Sequence, residues 1–450
     1  MLDGMGHIVF AAPPIADFHL HERLRRDLQR RGHRVSVLCA ERHEFTFWRE
    51  QFADVHALPS TRARGDVPRD LLDRAANALQ RRDAAARLHT ADRWLEDHAP
   101  DLLLFHQRRS ATAAVLQFAA RSAGVRVLWT GRGLLPHTMQ VDERGLDGDA
   151  GSLRLRANDY RVVRPDAALL DAGLTHALAA SAPHALPRAE LVVPPLRRRC
   201  ADAARGLLRG DFGGLHAALN GWTAALGPRD AAIPDVPRID LQPPFVAVLL
   251  QSAHDPRVRL DAAQAPPAHE LLGRALDAAM ATFGERAGVV AVLPPGAPLR
   301  SAGLHRLPPL QRARVQLVTD HHNAAVVVAA AAATVTVNHP AAFVALLAGT
   351  PVVLLGRALF ELHGVTTRGG LATLTDDVRR AAARDRPALR RRLLTWHLRH
   401  GHVWCSAERP NHNGVLGLGE AIERRLAAAG SGADDAMHYR PGPTWPLATT

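Results

Sequence analysis

Lysine is absent. All 56 strongly basic side chains are arginine, and a guanidinium stays charged at any working pH. With 44 acids the net charge is +12. Two readings stay open: an anionic partner such as a nucleotide-sugar, nucleic acid or phospholipid surface, or the Arg-, Ala-, Gly- and Pro-rich usage of a GC-rich coding sequence. Cysteine is scarce. Cys39, Cys200 and Cys405 form no C-x-x-C pair, which excludes a disulfide framework and a Cys-rich zinc module and fits a reducing cytoplasm. Aromatics are 5% of the chain, so the core is expected to be aliphatic, and base-stacking groups are too few to favour nucleic acid. No P-loop, Gly-x-Gly-x-x-Gly or Gly-x-Ser-x-Gly motif occurs, which removes P-loop nucleotide hydrolysis, dinucleotide redox and esterase chemistry. Long apolar runs are missing as well. The longest, residues 323–337, is interrupted by Thr334 and Thr336 and is too short to span a bilayer. Met1-Leu2-Asp3-Gly4 lacks the basic-then-apolar pattern of a secretory signal. A cytoplasmic protein is expected, with peripheral attachment to the inner membrane face left open.

What is present is strand-helix alternation. At 450 residues, 47% hydrophobic and 22% charged, the chain reads as globular with two or three domains. His7-Ile8-Val9-Phe10 reads as a buried strand, Leu20, Leu24 and Leu28 recur at helical spacing, and Val35-Ser36-Val37-Leu38 follows as a second strand. Further strands are expected at 102–105, 125–129, 245–250, 289–293, 315–318, 333–338 and 351–355, with helices at 70–98, 111–120, 270–283 and 341–348. This βαβ alternation predicts an α/β fold of two doubly wound, Rossmann-type domains facing across a cleft. The expected units are an acceptor-side domain at 1–227, a Pro-rich linker at 228–244, a donor-binding domain at 245–429 and a disordered tail at 430–450.

The most informative segment is Thr336-Val337-Asn338-His339-Pro340, followed by an apolar helix, Gly349-Thr350-Pro351-Val352 and Gly356-Arg357. A strand runs into a polar turn that opens a helix. Free N–H groups at a helix start, with the dipole behind them, form an anion site. Asn338 is expected to cap that helix and His339 to reach a phosphate or carboxylate. A plain strand-turn-helix junction remains the alternative.

This segment, continued by Ala358-Leu359-Phe360-Glu361-Leu362-His363-Gly364-Val365-Thr366, resembles the signature of the capsule polysaccharide biosynthesis and export family, which includes Kdo transferases. Three other stretches are similar to the family in the same order. They are Val9-Phe10 through Gly32-His33-Arg34-Val35, Gly133 to Asp147 with its Pro136 and Asp142, and Leu249-Leu250-Gln251 with His254-Asp255. The resemblance implies a GT-B-like glycosyltransferase that uses a CMP-activated sugar, typically CMP-Kdo, with no cofactor and no metal. Its implied partners are the nucleotide-sugar, a lipid-linked glycan acceptor, the inner-membrane surface and capsule assembly proteins, and no nucleic acid.

The resemblance also implies site residues. Gln251, His254, Asp255, Asn338, His339, Gly356, Arg357 and Glu361 fall on the donor side, and Asp17, His19 and Arg109 on the acceptor side. Three family positions are replaced. Arg132 stands where the family has an acid, Val292-Leu293-Pro294-Pro295 replaces Lys-x-His-Pro, and His339-Pro340 replaces a Ser-Thr pair. Either other groups act (Asp142 as the catalytic carboxylate, with Glu143, Asp17 or His254), or the site is degenerate and the chain binds glycan or partner enzymes. His19-x-His21 lacks an evident third metal ligand. The runs Arg197-Arg198-Arg199 and Arg390-Arg391-Arg392 read as anionic-lipid contacts or as solvated helix faces.

Overall fold

The computed structural model describes residues 5–40, 42–58, 78–107, 111–180, 244–252, 255–262, 266–294, 297, 299–318, 324–407 and 409–428. The expected linker, apart from Pro244, and the expected tail lie outside them, as do Arg109, His254 and Arg197-Arg198-Arg199.

Two sheets organise the chain. The first contains β1 (His7–Ala11), β2 (Arg34–Cys39), β3 (Val55–Ala57), β4 (Leu102–His106), β5 (Arg126–Arg132) and β6 (Met139–Asp142). The second contains β7 (Phe245–Leu249), β8 (Gly288–Val292), β9 (Val315–Val318), β10 (Ala333–Thr336), β11 (Val352–Leu354) and β12 (Thr366–Arg368). With a seventh strand, β13 (His402–Val403), at its edge, the first sheet runs β13-β6-β5-β4-β1-β2-β3, with β1 to β5 parallel and the β5–β6 and β6–β13 pairs antiparallel. The second runs β12-β11-β10-β7-β8-β9 and is parallel throughout. Each therefore has the order of a doubly wound fold, reversing direction between β1 and β4 and again between β7 and β10. Ligands bind outside the carboxyl ends of strands at such reversals.

Parallel strands covered on both faces read as unbroken apolar runs. Phe245, Ala247 and Leu249 face the helices Ala324–Ala330 and Ala341–Ala348, while Val246 and Val248 face the helix Ala268–Phe283. In the first sheet Ile8 and Phe10 meet Leu20, Leu24 and Leu28 of the helix Phe18–Arg30, and Val9 and Ala11 meet the helices Ala78–His98 and Ala111–Ser122. Gly349, at φ +90°, ends the helix Ala341–Ala348 in a left-handed turn that a side-chain-bearing residue adopts at a cost.

Among the described residues, segments of each half of the chain pack on the other lobe. Leu134, Leu135, Ala150, Leu169 and Ala177 pack into the core of the second sheet. In return, β13 (His402–Val403) pairs antiparallel with β6. The helix His412–Ala428 lies on the helix Phe18–Arg30, held by Arg31 to Glu423 at 2.6 Å and by Arg126 donating to the Leu426 carbonyl. Residues 402–428, assigned by sequence to the second unit, thus build on the first sheet. A two-residue strand has no readable period, so only tertiary pairing reveals it.

Candidate functional site

The second reversal point is closed by amides. Gln251 follows β7 and Asn338 follows β10. Gln251 Nε2 donates to Asn338 Oδ1 at 3.0 Å, and the Asn338 N–H donates to Gln251 Oε1 at 3.1 Å. Asn338 Nδ2 also donates to Asp261 Oδ2 at 3.0 Å and to the Arg357 carbonyl at 3.1 Å. Asn338 is 4% exposed, so these bonds satisfy a buried group that has no water to turn to. Asn338 therefore ties four segments together and does not cap the helix.

The helix start is Pro340, and no side chain caps it in the usual way. The Ala341 N–H donates to His339 Nδ1 at 3.1 Å, that of Ala342 to the His339 carbonyl, and that of Phe343 to the Pro340 carbonyl. The His339 N–H goes to Thr336 Oγ1 at 3.1 Å. Every backbone donor from 338 to 343 has a protein partner, which corrects the expectation of an anion site at this helix tip. Asp255 is likewise a helix cap, accepting from the Arg257 N–H at 2.9 Å. Gly356 is needed for close approach, since a Cβ there lies 2.5 Å from Val337 Cγ1.

Open space lies one strand further out. A cavity of about 600 Å³ sits at the carboxyl ends of β11 and β12 under the loop 153–158, within the size range of small-ligand sites. Arg156, Asn158, Arg357, Glu361, His363 and Arg368 bring its polar groups. Arg368 Nη1 lies 2.9 Å from Glu361 Oε2. Neither the Arg156 nor the Arg357 guanidinium has a carboxylate partner among the described residues. Of the residues expected on the donor side, Arg357 and Glu361 line this cavity, while Arg156 and Arg368, which also line it, were not singled out from the sequence. Arg368 stands two residues after Thr366 of the Gly364-Val365-Thr366 motif, a usable signal. Arg156 lies among single-turn helices without periodicity and has none.

Between the lobes the fit is tight. Arg132, Asp147, Arg257, Asn338 and Pro340 line a gap of about 10 Å³, room for one water at most. A Cβ on Gly148 meets Asp261 Oδ1 at 2.1 Å, and Ser152 donates to the Leu359 carbonyl at 2.8 Å. Asp147 has φ +52°, a conformation that short acidic side chains tolerate. It is a cleft carboxylate that sequence reasoning did not single out.

Asp142, expected as the catalytic carboxylate, is a loop pin. Its Oδ1 accepts from the N–H groups of Arg144, Gly145 and Gly151 at 2.7, 3.0 and 3.1 Å, and its Oδ2 from Gly151 at 2.9 Å. Burial raises its pKa against those bonds. Glu143 is exposed and lies 3.5 Å from Arg425 Nη1.

At the first reversal point, Asp17 follows β1 and His106 ends β4. Asp17 Oδ2 is 3.4 Å from His106 Nε2, and the two side chains are 8% and 1% exposed. His106 Nδ1 shares a 2.9 Å hydrogen bond with Thr130 Oγ1 of β5. His21 Nδ1 donates to the Asp17 carbonyl at 2.9 Å, and its ring packs edge-on to His106. Burial pushes the Asp17 pKa up, but His106, His21 and Arg132 outweigh it and hold the carboxyl below its ordinary value. Burial, aided by His106, brings His21 down to about 4. His19, one turn-face away, is half-buried with its ring edge-on to Phe18. Among the described residues no group of three or more His, Cys, Asp or Glu side chains is arranged to hold a metal.

Residues 304–399 match the family described as capsule polysaccharide biosynthesis protein. No curated protein matches the chain in sequence. Among solved structures it is similar to the Thermosulfurimonas dismutans KpsC, a beta Kdo 2,4 transferase, at 14% identity over 73% of this chain and 88% of that one, TM-score 0.38. It is also similar to the UDP-GlcNAc 2-epimerase of Neisseria meningitidis, at 13% identity over 94% and 99%, TM-score 0.32. The corresponding epimerase of Methanocaldococcus jannaschii is 10% identical over 95% and 99%, TM-score 0.32. At these scores the fold rests on the two sheets themselves. The matched residues 304–399 include the Asn338 to Thr366 motif.

Proposed function

We propose that this chain is a glycosyltransferase of capsule or surface polysaccharide biosynthesis, moving a CMP-activated acidic sugar of the Kdo class to a lipid-linked glycan acceptor. The arginine cavity at the ends of β11 and β12 is the observation that supports it most. Arg156 and Arg357 offer guanidinium groups without a carboxylate partner among the described residues, and Arg368, paired with Glu361, brings a third into a space of about 600 Å³. Planar guanidinium donors match both phosphate and carboxylate, the two anionic groups of such a donor. Held there, they also stabilise charge that develops on the departing nucleotide phosphate. The family affiliation over residues 304–399 supports the pathway. A cytoplasmic place of action, with contact to the inner membrane face, belongs to the same proposal. Among the described residues no helix is long and apolar enough to cross a membrane. The Arg390 to Arg392 run is partly engaged, because Arg390 pairs with Asp385 and Arg392 donates to the Arg161 carbonyl.

A second reading, a non-catalytic binder of glycan or partner enzymes, is favoured by Arg132 at the family's acid position and by the filled helix tip. Calorimetric titration with CMP, CDP, UDP and CMP-Kdo, followed by an assay of CMP-Kdo consumption, separates the two. The transferase reading expects saturable CMP binding and donor turnover. Binding without turnover favours the second reading, and absence of any nucleotide binding overturns the donor-cavity assignment.

A further inference from the structure

The exposed charge of the second lobe does not lie on the arginine run that stands out in the sequence. Of Arg390, Arg391 and Arg392 only Arg391 is exposed, because Arg390 turns to Asp385 and Arg392 to the Arg161 carbonyl. Arg384 and Arg386, just before the helix Pro387–Trp396, are exposed too. A second stretch packs against that helix, with Leu155, Tyr160 and Val163 set on Leu389, Leu393 and Trp396. Along it Arg154, Arg156, Arg161 and Arg164 all reach solvent. None of these guanidinium groups has a carboxylate partner among the described residues. The nearby acids are engaged elsewhere. Asp159 accepts the Arg156 N–H at 2.6 Å, Asp385 pairs with Arg390, and Glu361 pairs with Arg368. Val162, between Arg161 and Arg164, is 77% exposed, while Tyr160 and Val163 pack inward. An aliphatic side chain held out among cations gains nothing in water and suits the boundary of a lipid headgroup layer.

We propose that this arginine face, residues 154–164 together with 384–391, is a docking surface for anionic phospholipid headgroups, and that it sets the arginine cavity against the membrane. Guanidinium groups match headgroup phosphates in bidentate fashion, and each gains from the negative potential of such a surface. A soluble polyanion meets the same charge but has no use for Val162, and that decides for lipid. The face runs into the cavity. Arg156 belongs to both, and Arg386 lies across Gly364, next to His363 of the cavity wall. Docking there holds the cavity mouth at the headgroup layer, where a lipid-linked acceptor reaches it without leaving the bilayer. The inference rests on the membrane-face reading above and names the face that carries it. The paired residues Arg390 and Arg392 have only a supporting part, bracing the helix against its neighbours.

The test is sedimentation of the full chain with vesicles of phosphatidylcholine, alone or mixed in equal parts with phosphatidylglycerol. The wild type is expected to bind the mixed vesicles and not the neutral ones. A triple variant, Arg161→Gln, Arg164→Gln and Arg391→Gln, touches no cavity-lining residue. It is expected to weaken vesicle binding about 100-fold, at about fivefold per charge, with CMP binding and melting temperature unchanged. A control triple, Arg274→Gln, Arg306→Gln and Arg312→Gln, removes the same charge from exposed positions elsewhere on the second lobe. Its vesicle affinity is expected to stay within about threefold of wild type. Val162→Trp is expected to tighten vesicle binding and to leave retention on heparin, a soluble polyanion, unchanged. A wild type that ignores the mixed vesicles overturns the proposal. Equal losses in the two triples also overturn it, since net charge alone then drives the binding. A Val162→Trp protein with unchanged vesicle affinity overturns the choice of lipid over a soluble polyanion. No nucleotide enters these measurements, so each of these failures leaves the donor reading to stand or fall by the CMP titration.

Discussion

The two reversal points occupy equivalent places in two sheets of the same order, and they are built from opposite chemistry. Between β7 and β10 a pair of neutral amides, Gln251 and Asn338, bond each other reciprocally and draw in Asp261 and Arg357. Between β1 and β4 a carboxylate and an imidazole, Asp17 and His106, stand 3.4 Å apart, the ring held on its other side by Thr130. A fully satisfied buried network makes a rigid floor, whereas a partly satisfied one has a partner still to meet. The second lobe thus locks its reversal point and opens a ligand-sized space further out, at the arginines of β11 and β12. The first lobe buries a charged pair at its reversal point.

Acid separates the two most strongly. The amides do not titrate. His21, His400 and His402 have pKa values brought down to about 4, chiefly by burial. A histidine lowered in the fold is protonated first in the unfolded chain, so its stabilising effect is complete above about 6.5 and declines as pH falls from there to about 4. Each such ring is expected to remove about 1.4 kcal/mol per pH unit in that window. Thermal melts from pH 7.5 to 4 read this directly, and a flat curve breaks the account of the first lobe's buried imidazoles.

Removing the locked side comes next. Asn338→Ala removes the amide partner of Gln251 and one hydrogen bond to Asp261, and is expected to cost about 3 kcal/mol by chemical denaturation. A loss below 1 kcal/mol would show that the amide floor is dispensable. Asp17→Asn, in contrast, is expected to cost less than Asn338→Ala near neutral pH, because it removes one charge contact with His106 and not a reciprocal set of hydrogen bonds. Equal destabilisation by the two variants erases the distinction between the reversal points. The smallest effect belongs to the donor cavity, where Arg357→Ala is expected to weaken CMP binding roughly tenfold with unchanged melting temperature.

The comparison also marks what a sequence discloses. The central strands were legible because buried parallel strands are continuous apolar runs, as Phe245–Leu249 and His7–Ala11 are, whereas the short strands β3, β6, β12 and β13 nearer the sheet edges were not expected. The helix Ala341–Ala348 was legible to the residue because Pro340 and Gly349 bracket it. Arg357 and Glu361 reached the cavity because they sit in a motif. Asn338 was located correctly and misassigned, since its partners at 251, 261 and 357 are remote in sequence. The Asp142 role was half-readable, because Arg144 and Gly145 are neighbours while Gly151 closes the turn from nine residues away. His106 was passed over for the arginines that follow it, and nothing in a lone strand-end histidine foretells the approach of Asp17.

The account stands most directly on where a nucleotide phosphate goes. A crystal structure of the full chain with CMP is expected to show the phosphate within hydrogen-bond reach of Arg357 and Arg368, in the cavity beneath residues 153–158. A phosphate seated instead on the backbone N–H groups of residues 341–343, with His339 and Pro340 displaced, would contradict it.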